Sequence, residues 1–177
     1  MNIHGLIERL SRFPMALRGA VQISSADDLR WSPAAETWSI HEVICHLADE
    51  EQEDFAERLR RTLAEPVQAW PPLDLEGVSA RRGYMSRDVN EQLERFCTLR
   101  DVNVKWLREV EESDRGGAVW TRSSMHPKAG AIPAGELLTA YAAHDALHLR
   151  QIAKRLFELA ARDGAPHPTK YAGEWKA

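Results

Sequence analysis

The segment YAAHDALHLRQI places His144 and His148 four residues apart. On a helix that spacing projects both side chains from one face, so two imidazole nitrogens can converge on a single ion. Two histidines on one helix make an incomplete site, and His46 in WSIHEVICHLADEEQ is the best candidate for a third ligand. Glu50, four residues after His46, shares its face and is a candidate fourth ligand, an outer partner of a ligand, or a base acting through metal-activated water. Glu53 and Glu57 continue that face, so a solvated acidic stripe accounts for all three glutamates equally well.

At about 100° per residue, with His148 at zero, Leu138, Tyr141, Leu149, Ile152, Leu156 and Leu159 fall at roughly 20° to 100°, and His144 at about -40°. The histidine pair therefore flanks an apolar stripe. Asp145 points near the middle of that stripe, where an unpaired carboxylate is costly. Either it accepts a hydrogen bond from the second ring nitrogen of a ligand histidine, or it forms a structural bond or ion pair with no link to a metal. On the same estimate His46 lies away from the centre of the arc holding Ile40, Ile44, Leu47 and Phe55, which predicts a position at a cleft edge. His41 sits beside a helix start. His4, His126 and His167 lie near termini or in loops and lack a spaced partner.

Three neutral imidazoles leave at least one coordination position open, as catalytic sites do. Two reactions fit. The metal lowers the pKa of a thiol cofactor, which then attacks an electrophile; or it activates water for hydrolysis, with Glu50 or Asp145 managing the proton. A metal-dependent binding or stress-response module without turnover is the third reading, because no second recognisable catalytic group is present. Imidazole donors suit zinc, nickel, copper and iron alike.

Four segments have the apolar spacing of helices that would position these groups, with breakers between them. The first runs from about Ile3 to Val21, with Pro14 a possible bend. The second runs from about Ile40 to Leu63, behind Ser39 as N-cap, with Glu42 completing a capping box. The third covers about Asp88 to Glu112, with Leu93, Phe96, Val104, Leu107 and Val110 as core contacts. The last runs from about Pro133 to Arg162, with Gly164 at its exit. Helices two and three are joined by AEPVQAWPPLDLEGVSARRGY, long enough to return along the bundle. Alternating apolar stretches are short and broken by proline or glycine, so strands are not expected. The prediction is an all-α four-helix bundle with one long crossover, in a single domain over 1–177.

The chain has 177 residues, 44% of them hydrophobic, enough to bury a sizeable core. Its 23 basic and 27 acidic residues are interspersed, which argues against nucleic-acid binding. Cys45 and Cys97 lack a CxxC spacing and read as reduced core residues of a cytosolic protein. The N-terminus MNIHGLIERLSRFPM lacks a signal-peptide pattern, and no apolar run is long enough to span a bilayer, so a soluble protein is expected. Trp31, Trp38, Trp70 and Trp120 fall in or beside connections, suited to packing or to a pocket mouth. The segment DGAPHPTKYAGEWKA is expected to dock either on the bundle or on a second subunit.

In WSIHEVICHLADEE and AAHDALHLRQI, and in the lengths between them, the chain resembles the DinB-like (DinB/YfiT) superfamily of bacterial four-helix-bundle proteins. The resemblance implies a crossover between helices two and three and a three-histidine metal site that maps onto His46, His144 and His148. It also implies zinc, nickel or iron as the metal, and a homodimer acting on a small-molecule substrate. For some relatives it implies S-transferase or isomerase activity with a low-molecular-weight thiol.

Overall fold

Ser39 starts the helix that carries His46. Its hydroxyl accepts a hydrogen bond from the Glu42 N–H at 3.2 Å, and the Glu42 carboxylate accepts one from the Ser39 N–H at 2.8 Å. This reciprocal pair satisfies two amides that the first helical turn leaves without partners. The computed structural model describes residues 1–72, 77–114 and 116–175. Its helices are α1 (Ile3–Gln22), α2 (Ala26–Arg30), α3 (Ile40–Glu53), α4 (Phe55–Leu63), α5 (Val78–Arg81), α6 (Val89–Ser113) and α7 (Ala134–Asp163). The long elements form a four-helix bundle in which α3–α4 acts as one broken member. α6 packs on both α1 and α3, while α7 packs on α1 and α4 and touches α3. No helix among the described residues is long and apolar enough to cross a membrane.

The apolar faces close two adjoining cores. Phe13, Leu17, Ile40, Ile44, Leu47, Phe96 and Ile152 fill one, and Ile7, Leu10, Leu59, Val104, Leu107, Leu138 and Tyr141 fill the other. The expected contacts of α6 are buried, with Val110 only partly so. Leu149, at the rim of the α7 stripe, is exposed and lies in a groove between α1 and α7 instead of the core. Cys45 and Cys97 are free and buried.

Three local features depart from the sequence expectation. The expected second helix breaks at Asp54, whose backbone leaves the helical region at φ -115° and ψ -101°. Hydrogen bonds from Asp54 N to Glu50 O (3.0 Å) and from Arg58 N to Asp54 O (2.8 Å) bridge the break, so the apolar spacing runs on undisturbed. A short antiparallel hairpin, β1 (Ser123–His126) with β2 (Gly130–Pro133), precedes α7. Gly130 supplies the positive φ of 79° that the turn needs, and His126 Nδ1 accepts from the amides of Lys128 and Ala129. Its four-residue strands are too short for alternation to register. Pro133 ends β2 as the N-cap of α7, and α2 fills part of the first connection behind its own Ser25–Asp28 capping box.

The crossover between α4 and α6, of which residues 73–76 lie outside the described set, is pinned to α3. Tyr84 is fully buried and its carbonyl takes His41 Nε2 at 3.0 Å. The Asp49 carboxylate receives Arg82 (2.9 Å), Arg87 (3.0 Å) and Arg95 (2.6 Å), which hold it down to a pKa of about 2 against the upward push of burial. In the C-terminal segment, whose residues 176 and 177 are not described, Trp175 packs on Phe157 of α7 with centroids 5.7 Å apart.

Candidate metal centre

Two helical pairs, each with a spacing of four, face each other across the α3–α7 contact: His46 with Glu50 and His144 with His148. One donor atom from each of the four residues lies within 4.8 Å of all the others. Glu50 Oε2 stands 3.2 Å from His46 Nε2 and 3.2 Å from His144 Nε2, and His144 Nε2 stands 3.1 Å from His148 Nε2. Two donors about 2.1 Å from a common ion sit about 3.0 Å apart at a right angle and about 3.4 Å apart at the tetrahedral angle. These three separations fall between those limits, which suits donors that share one divalent ion.

Electrostatics point the same way. Glu50 is 6% exposed, and among the described residues its buried Oε2 has no partner besides the His46 and His144 ring nitrogens. Burial would raise its pKa, but the surrounding imidazoles outweigh that and hold it below the ordinary glutamate value. Burial also lowers His144, and it lowers His148 to about 4 with help from the neighbouring His144 and His46. Both rings are thus kept neutral, the form in which imidazole donates to a metal. A buried carboxylate beside these two neutral rings gains no countercharge from them, and a bound cation would supply one.

Neighbouring side chains orient the donors. His148 Nδ1 meets Gln151 Oε1 at 3.0 Å, which places the ring proton on Nδ1 and leaves Nε2 with its lone pair toward the cluster. Trp38 covers His46 edge-on at 4.7 Å, so His46 is buried at 5% exposure instead of standing at a cleft edge. Phe55 lies 4.9 Å from the His144 ring and stacks on Tyr141 at 5.1 Å. His144, with 22% of its side chain exposed, is the open side of the centre.

The remaining candidates lie elsewhere. Asp145 is buried, and both of its oxygens take the Arg100 guanidinium, at 2.6 and 2.9 Å, so it contacts no ligand histidine. Glu53 pairs with Arg82 and Glu57 with Arg61, which leaves Glu50 as the member of that face turned into the cluster. Trp31 lies under Arg162, Trp70 donates to Thr62 Oγ1 at 2.9 Å, and Trp120 is core. Gln151 and Arg100 carry no spacing signal of their own and were not legible in the sequence. For Gln151 the available clue was its position three residues after His148.

A model of the DinB superfamily matches residues 9–152. Among solved structures the chain is similar to YfiT from Bacillus subtilis, described as a probable metal-dependent hydrolase with an unusual four-helix bundle topology. That likeness has a TM-score of 0.75 and 23% identity, and covers 92% of this chain and 87% of that one. Comparison with curated proteins returns no match.

Proposed function

The chain belongs to the DinB superfamily, and from that premise we propose that it holds one divalent metal ion on His46, His144, His148 and Glu50 and hydrolyses a small-molecule substrate there. The observation that carries this reading is the convergence of four donors, one of them a buried carboxylate oxygen with no other partner. The similar Bacillus subtilis protein's description as a probable metal-dependent hydrolase supports it.

A divalent ion supplies Lewis acidity and brings the pKa of water or of a thiol toward neutrality. The chain's own groups do the rest. His46, His144, His148 and Glu50 would hold the ion, and one accepting more than four donors would leave room for water and substrate. Gln151 fixes the tautomer of His148. Trp38 and Phe55 pack beside His46 and His144 and limit water there, so substrate approaches past His144. Asp145 is fully engaged by Arg100 and takes no part in proton transfer.

The test is a panel of ester and amide substrates beside a thiol-conjugation assay. The protein is loaded in turn with zinc, nickel or iron(II), and His148→Ala serves as control. Metal-dependent hydrolysis lost in the variant is the expected result. Conjugation without hydrolysis would replace this reading by the thiol-transferase one, and silence in both assays would favour a binding module.

A further inference from the structure

Arg100 is among the most deeply buried side chains of the molecule, at 1% exposure. Its guanidinium donates to Asp145 Oδ2 at 2.6 Å, to Asp145 Oδ1 at 2.9 Å and to the Leu10 carbonyl at 3.0 Å, and stands 2.9 Å from Glu51 Oε2. Glu51 is held further by Asn103 Nδ2 at 2.9 Å and by the Tyr141 hydroxyl. One cation on α6 thereby gathers an acid from α3 and an acid from α7.

These two acids directly follow two cluster residues in the chain: Glu51 follows Glu50, and Asp145 follows His144. Consecutive helical residues point about 100° apart. The donors therefore face the cleft while their neighbours turn inward to meet the same guanidinium. We propose that Arg100 is the positioning residue of the metal centre: by clamping Glu51 and Asp145 it sets the rotation and register of α3 against α7, and so the separation of the donor atoms. The proposal rests on the metal-binding reading above.

The physical case is one of geometry more than of stability. A slip of one residue along either helix moves its donors by about 1.5 Å and about 100°, whereas a working site tolerates about 0.5 Å. A planar fork with two acids on its edges resists both the slide and the rotation, and lysine's single ammonium does not. Buried ion pairs add little net stability over apolar packing, because desolvation offsets their attraction. Their best-attested benefit is a single register.

The experiment compares wild type with Arg100→Lys, which keeps the charge and loses the fork, and with Tyr141→Phe, which removes one hydrogen bond to Glu51. Leu159→Ala, a core substitution outside the network, serves as a destabilised control. Each protein is titrated with cobalt(II) under folding conditions, reading affinity and the visible ligand-field spectrum. The expected result is binding at least about tenfold weaker in Arg100→Lys, an altered spectrum, and a smaller change in the same direction in Tyr141→Phe. The control should match wild type once folded. If Arg100→Lys does not fold, Tyr141→Phe decides. Unchanged affinity and spectrum in the folded variants, with wild type binding normally, would overturn the positioning role alone. A wild type that takes no cobalt would overturn the metal-binding reading and the positioning role with it.

Discussion

Gln151 makes one hydrogen bond at the centre, and that bond decides which nitrogen of His148 faces Glu50 and His144. Gln151→Leu keeps the bulk and removes the acceptor. Metal affinity should fall by about tenfold or more, with little change in the melting temperature of the metal-free protein; equal affinity in both proteins would show that the ring needs no support. Acid acts at the same residue with a definite sign. Burial depresses the folded His148 pKa to about 4, so protons compete for its lone pair only near that pH, well below the ordinary histidine range. Metal content measured after dialysis should hold through about pH 6 and fall toward about pH 4. Loss already complete at pH 6 would contradict the buried, neutral ring. The sequence made His144 and His148 legible because helical spacing alone brings them to one face, and it placed Glu50 beside His46 for the same reason. Gln151 was invisible because its role depends on a rotamer. Arg100 was invisible because its partners come from three other helices.

At the scale of elements, α3 matters most, since it carries both His46 and Glu50 and begins at a buried cap. Ser39→Ala removes the acceptor for Glu42 N–H and the donor to its carboxylate. It should cost about 1 to 2 kcal/mol, read as a lower urea midpoint with an unchanged slope. A cost near zero would mean that α3 is held by packing alone. Both sides of this cap were readable from the S-x-x-E pattern, and the four long helices from the spacing of their apolar residues. The break at Asp54 was not, because the hydrogen bonds that cross it preserve the periodicity on either side. The hairpin was missed for a different reason: its register is set by a turn around Gly130 and by Ser124 Oγ lying 3.1 Å from Thr62 Oγ1 on α4, a long-range contact.

For the molecule as a whole, the α3–α7 contact buries three carboxylates, Glu50, Glu51 and Asp145, against one guanidinium, Arg100. Burial holds His144 and His148 there toward neutrality, so this group of side chains carries an excess of negative charge that a divalent ion would balance. A ligand that binds only the folded state stabilises it by about 2.7 kcal/mol at a hundredfold excess over its dissociation constant. For a chain of this size that corresponds to a rise of about 5 to 11 °C in melting temperature. Calorimetry with and without metal checks it, and the rise should shrink in Glu50→Ala, which leaves three imidazole donors. The bundle and its crossover were legible because breakers bounded the long helices; the charge balance was not, because it exists only once the helices are packed.

The central claim is that four convergent side chains hold one metal ion, and elemental analysis of purified wild type beside His148→Ala tests it most directly. The account predicts close to one divalent ion per wild-type chain and a large loss in the variant, with helical content preserved in both. Equal metal content in the two proteins, or none in wild type after incubation with zinc, nickel or iron(II), would contradict it.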